Sequence, residues 1–127
     1  MRILLDTSVL IDVLRLRNRR RELLLELVQT GHTLGTSAIN VAELYAGMRP
    51  WEEQHTDDLV ATLDCYELSK TTGRIAGTLK GQWAKKGRTL ALTDTIIAAI
   101  ALEHRCALMT DNRKDFPMPE LDLYPLK

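Results

Sequence analysis

Arg2-Ile3-Leu4-Leu5-Asp6-Thr7-Ser8-Val9-Leu10-Ile11-Asp12-Val13-Leu14 decides the fold. The unbroken apolar run Ile3 to Leu5 reads as part of a strand, Arg2 to Leu5. Asp6 closes it, Thr7 or Ser8 offers a helix cap, and Val9 to Leu14 carries helical spacing. A strand running straight into a helix opens a βαβ unit. It puts Asp6 at the strand's carboxyl end, where open α/β sheets bind ligands.

Working outward, the chain keeps alternating. Glu22 to Gln29 predicts a helix ended by Gly31, Leu34 to Thr36 a short strand, and Ser37 the cap of a helix reaching Arg49 before Pro50 stops it. Trp51 to about Thr62 reads as helix, Cys65 to Leu68 as extended, and Thr71 to Lys86 as helix with Gly87 as its stop. Asp94 to Arg105 is the cleanest helix, followed by strands at Ala107 to Thr110 and Leu121 to Tyr124. This pattern predicts an α/β fold, a mainly parallel sheet flanked by helices on both faces.

The 127 residues suit one domain spanning 1–127, and 45% hydrophobic residues suffice for an ordinary core. Seventeen basic and seventeen acidic residues cancel, so any nucleic-acid surface must be local. Cys65 and Cys106 form no CxxC pair and read as buried thiols of a reduced, cytoplasmic protein. No signal-peptide pattern and no apolar run near the roughly 20 residues of a membrane span is present, which implies no membrane association.

Four scattered acids fall on one edge of such a sheet. Asp6 and the Thr110 to Asp115 loop follow strands, and Asp94 starts a helix that leads into one. Glu43 lies about 9 Å beyond the Ser37 cap along its helix and can lean back toward that edge. Two of the acids also have plainer roles: Asp6 as a helix cap, Asp94 as a complement to a helix dipole. Against this, the Asp94 helix is apolar all round and so buried, and Glu43 stands among Ile39, Ala42 and Ala46 as a buried carboxylate. Converging carboxylates repel unless a cation joins them, and hard oxygen ligands select Mg²⁺ or Mn²⁺. His32, His55 and His104 show no zinc-ligand spacing, and His104 reads as a surface residue that offsets a helix dipole. Metal-assisted phosphodiester hydrolysis is the chemistry that fits, since neither a phosphate-binding glycine loop nor a nucleophile–histidine pairing appears.

Four stretches in order carry a resemblance to a known family: Leu4-Leu5-Asp6-Thr7-Ser8, Ser37 to Gly47, Thr93-Asp94-Thr95-Ile96-Ile97-Ala98-Ala99, and Thr110-Asp111-Asn112-Arg113-Lys114-Asp115-Phe116. Over nearly its whole length the chain resembles PIN-domain ribonucleases, specifically VapC-type toxins of VapBC toxin–antitoxin pairs. The resemblance implies a three-layer PIN-like fold and a Mg²⁺- or Mn²⁺-dependent endoribonuclease. It implies Asp6, Glu43 and Asp94 as the acidic core holding the metal, with Asp115 as the fourth acid. Ser8 and Thr110 become supporting polar residues, and Asn112 orients the loop or touches phosphate. Asp111 and Asn112 remain alternatives for the fourth position. A VapB-type antitoxin, a homodimer and an RNA substrate such as transfer RNA are implied as partners.

Two other classes stay open at this point, a non-catalytic PIN-like module that binds RNA or protein, and a nuclease of RNA processing without a toxin role. Arg113 and Lys114 lie inside the acidic motif and are placed to meet the RNA backbone. Arg15 to Arg21 and the group Lys80, Lys85, Lys86 and Arg88 are two further basic stretches, either phosphate-binding or simply solvated. Leu44, Tyr45, Met48 and Trp51 are candidates for an apolar groove that takes a partner helix.

Overall fold

The computed structural model describes residues 1–126. Strands β1 (Arg2–Leu5), β2 (Thr33–Ser37), β3 (Asp64–Tyr66) and β4 (Cys106–Met109) form one sheet in the order β3-β2-β1-β4. Every pairing is parallel. Helices α1 (Thr7–Leu14), α2 (Arg20–Gln29), α3 (Ala38–Gly47), α4 (Glu53–Ala61), α5 (Lys70–Lys85) and α6 (Leu92–Glu103) make the crossovers.

The apolar run that predicts β1 explains its central place. Successive side chains point to opposite faces of a strand. Leu4 therefore packs with Leu79 of α5 and with Ile97 and Ile100 of α6, while Ile3 and Leu5 pack with Val9 and Leu10 of α1 and Leu24 and Leu27 of α2. Each such side chain contributes about 1.5–3 kcal/mol on leaving water. Helix α6, apolar all round, is buried from Ile97 to Ala101, as its sequence requires. Three layers result, with the strand carboxyl ends left open to receive the site.

Several expectations are corrected. Asp6, not Thr7 or Ser8, is the cap of α1. Helix α3 ends at Gly47, and Pro50 to Glu52 is a separate 3-10 turn before α4, because proline suits a first turn but not a helix interior. Leu121 to Tyr124 forms no strand but a single parallel bridge, Leu108 to Leu123. Pro119 and Pro125 bracket it and cannot donate to a longer ladder. Cys65 is exposed, while Cys106 is buried as expected. His104 is no plain surface residue: it stacks on Tyr66 with ring centroids 4.5 Å apart. Gly35 makes room for that tyrosine, since a Cβ there would meet Tyr66 Cε2 at 2.8 Å and the Asp64 carbonyl at 3.0 Å.

Candidate active site

Asp6 leaves β1 in extended conformation, with its backbone N–H on the Met109 carbonyl of β4 at 2.9 Å. Its carboxylate is 6% exposed and takes three donors. The Thr7 N–H and Asn40 Nδ2 reach Oδ1 at 2.9 and 3.0 Å, and Thr110 Oγ1 reaches Oδ2 at 2.7 Å. The capping role that the sequence offers for Asp6 is therefore present, on Oδ1, while Oδ2 turns to the loop after β4.

Asn40 is the residue that sequence reasoning missed. It is fully buried in the first turn of α3, held by Ser37, whose hydroxyl donates to Asn40 Oδ1 at 2.6 Å and accepts the Asn40 N–H at 3.1 Å. Its amide nitrogen then donates both to Asp6 and to Thr7 Oγ1, the latter at 3.0 Å. Thr7 in turn donates to Glu43 Oε1 at 2.9 Å. The spacing Ser37-x-x-Asn40-x-x-Glu43 was the available signal, since three-residue steps share one helix face. Glu43 itself is exposed, which corrects the expectation of a buried carboxylate among Ile39, Ala42 and Ala46.

Asp94 stands half-buried in the first turn of α6. Burial, and then the charges of Asp115, Asp6 and Glu43, push its carboxyl up to about 6. The fold thus brings the influence of the other three expected acids onto the fourth, Asp94. No Lys, Arg or His pairs with any of the four among the described residues. Nor do three acidic, His or Cys side chains there already stand at metal-ligand spacing.

The loop after β4 supplies the rest. Thr110, buried at 1% exposure, joins Asp6 to the loop by accepting the Asn112 N–H at 3.0 Å. Asn112 thus contributes its backbone to loop geometry. Ser8 Oγ accepts the Asp111 N–H at 3.4 Å. Asp111 pairs with Arg20 Nη2 at 2.8 Å, whereas Asp115, in the 3-10 turn Arg113–Asp115, carries the charge that, after burial, does most to raise the Asp94 carboxyl. Arg113 reaches the Tyr124 carbonyl at 3.0 Å, and the Lys114 carbonyl accepts from Arg88. Of the first basic stretch, Arg15 is bonded to Glu52 and Arg20 to Asp111, leaving Arg17, Arg19 and Arg21 as its exposed members.

A shallow apolar groove opens beside α1 and α3, lined by Ile11, Leu14, Leu44, Gly47 and Met48 and edged by Arg15 and Glu52. Trp51 stands 75% exposed, and the Tyr45 hydroxyl turns away to Asp57 at 2.6 Å. No helix among the described residues is long and apolar enough to cross a membrane.

A fold with acids gathered at the carboxyl edge of a parallel sheet defines a class, and comparison places the chain within it. The PIN domain pattern matches residues 3–118. Ribonuclease VapC19 of Mycobacterium tuberculosis is 30% identical, with 93% of this chain and 95% of that protein aligned. Ribonuclease VapC10 of the same organism is 32% identical over 93% and 88%. Among solved structures, VapBC2 of Rickettsia felis bound to a promoter DNA fragment superposes with TM-score 0.88 at 24% identity over the full length of both chains. A toxin–antitoxin complex of Klebsiella pneumoniae gives TM-score 0.78 at 28% identity, over 98% of this chain and 99% of that one. The chain belongs to the PIN-domain family, among the VapC-type ribonucleases.

Proposed function

We propose that this chain is a single-domain, metal-dependent endoribonuclease of the cytoplasm, the toxin of a toxin–antitoxin pair, with Asp6, Glu43, Asp94 and Asp115 as its working acids. The observation that carries the reading is Asp94, half-buried among three other carboxylates whose charges, with burial, raise its carboxyl to about 6. A divalent cation is what such an oxygen-only set lacks, and the hardness of its donors favours Mg²⁺ or Mn²⁺. Bound there, such an ion would lower the pKa of a water, hold a phosphate oxygen and offset charge developing in the displacement.

The chain's own contribution is orientation and proton traffic. Thr110, Asn40 and the Thr7 N–H fix Asp6, and the Thr7 hydroxyl holds Glu43. A carboxylate of the set accepts the proton of the attacking water. Lys114 and the exposed arginines offer phosphate contacts to a structured RNA such as transfer RNA. The groove at Ile11, Leu14, Leu44 and Met48 suits a segment of the antitoxin, a partner that the Klebsiella pneumoniae complex supports, and a homodimer agrees with the family.

The test is cleavage of a labelled structured-RNA mixture with Mg²⁺ or Mn²⁺ and with chelator, beside Asp6→Asn and Asp94→Asn. Metal-dependent cuts lost in both variants are expected. Intact RNA with folded, antitoxin-free protein would overturn the nuclease reading. Growth arrest on expression, relieved by the antitoxin, is expected of the toxin, and unaffected growth argues against that role.

A further inference from the structure

Arg20 is only 7% exposed, at odds with a place in a basic surface. Its Nη2 donates to Asp111 at 2.8 Å and its Nη1 to the Asn18 carbonyl at 3.5 Å, while its Nε is buried without a partner among the described residues. The connection that delivers it is strained. Leu16, Asn18 and Arg19 have φ of 54, 54 and 55°, a left-handed conformation unfavourable for side-chain-bearing residues. Arg19 heads α2 without a side-chain cap. Asp12, itself buried, braces the connection by accepting from Asn18 Nδ2 at 2.8 Å and, at its carbonyl, from the Arg17 N–H at 2.8 Å. Strain of this kind persists where surrounding structure over-determines it, commonly beside functional sites.

What the strained connection reaches is Asp111, between Thr110, which holds Asp6, and the turn carrying Asp115. An unpaired Asp111 would be a fifth negative charge beside a cluster that already repels itself. We propose that Arg20 is a positioning residue of the acidic site: its pair with Asp111 fixes the loop bearing Thr110 and Asp115 and withholds Asp111 from the cluster. The kinetic part of this proposal rests on the ribonuclease reading; the structural part does not.

The test uses the full chain and compares Arg20→Gln, Asp111→Asn and the double variant with wild type by amide hydrogen exchange and by cleavage kinetics. Loss of a charge-assisted bond predicts exchange about tenfold faster across 110–115 in both single variants, with α5 and α6 unchanged. In Arg20→Gln, kcat falls about tenfold with KM within about twofold, because an interaction that positions reacting groups has gone. The double variant cleaves faster than Arg20→Gln, since no free carboxylate is left beside the cluster. Unchanged exchange at 110–115 overturns the proposal, and so does a rise in KM alone, which would make Arg20 an RNA contact. Should wild type cut no RNA, the nuclease reading fails while exchange still decides the pair. Should Arg20→Gln not fold, Asp111→Asn gives the same decision.

Discussion

Replacing Asp94 by Asn should make the metal-free protein more stable at pH 7.5, while abolishing cleavage. Burial first, and then Asp115, Asp6 and Glu43, raise the Asp94 carboxyl from 3.8 to about 6. At about 1.36 kcal/mol per pH unit, that rise sets a ceiling of about 3 kcal/mol. Asp94 is only half-buried, and solvent screening reduces the figure to about 1–2 kcal/mol. The sign follows from proton linkage. The folded state holds this proton more tightly than the unfolded state, so the penalty on folding is complete above about pH 6 and fades as pH falls toward 3.8. An amide carries no charge and escapes the penalty. Urea denaturation of chelator-treated protein between pH 7.5 and 4.5 should show the variant ahead at the high end, with the gap closing below about pH 6. Mn²⁺ should reverse the order, since an ion at 100 times its Kd adds about 2.7 kcal/mol to the protein that binds it. A variant less stable than wild type at pH 7.5 without metal, or a gap indifferent to pH, would refute the reasoning.

Asn40→Ala removes three side-chain hydrogen bonds in a fully buried position, one of them to a carboxylate, and should cost about 2–4 kcal/mol. Its kcat should fall by about 10²-fold as Asp6 and Thr7 lose their common anchor; wild-type melting and turnover together would exclude the anchoring role. Gly35→Ala should destabilise by about 1–3 kcal/mol, because Tyr66 and the Asp64 carbonyl leave no room for a methyl group. Equal stability, measured by thermal melting, would mean that Tyr66 moves aside freely. A thiol reagent at pH 8 should modify Cys65 rapidly and Cys106 slowly, since burial both covers the second thiol and pushes its pKa up; two equal rates in folded protein would contradict this.

How far the sequence speaks for itself depends on the range of the interactions involved. Ile3 to Leu5 and Ile96 to Leu102 declare β1 and α6 through continuous apolar character, because a strand or helix buried all round must be apolar all round. Asp6, Asp94 and Asp115 can be placed on one edge by topology alone. Asn40 cannot: its three-residue spacing from Ser37 and Glu43 puts it on their helix face, but its importance lies in an amide meeting Asp6 across 34 residues. Arg20 hides similarly among its neighbours, since only its bond to Asp111, 91 residues away, separates it from the exposed arginines. The helical rise from the Ser37 cap brings Glu43 within reach of Thr7, whereas its small neighbours suggest burial and the side chain is exposed, because small residues on a helix mark a narrow face without saying whether water covers it. The segment Leu121 to Tyr124 looks like a strand by composition, yet Pro119 and Pro125 leave it a single bridge.

That single bridge has a consequence for where the chain can be cut. The Leu108 N–H donates to the Asp122 carbonyl and the Leu108 carbonyl accepts from the Tyr124 N–H, both at 2.8 Å, while Arg113 grips the Tyr124 carbonyl. These few residues cover the outer edge of β4, whose other edge pairs with β1. Trimming the protein to residues 3–118, the span of the family pattern, would strip that rim and leave an apolar strand with unpaired backbone groups facing solvent. The shortened protein would retain every acid of the site and still tend to self-associate edge to edge.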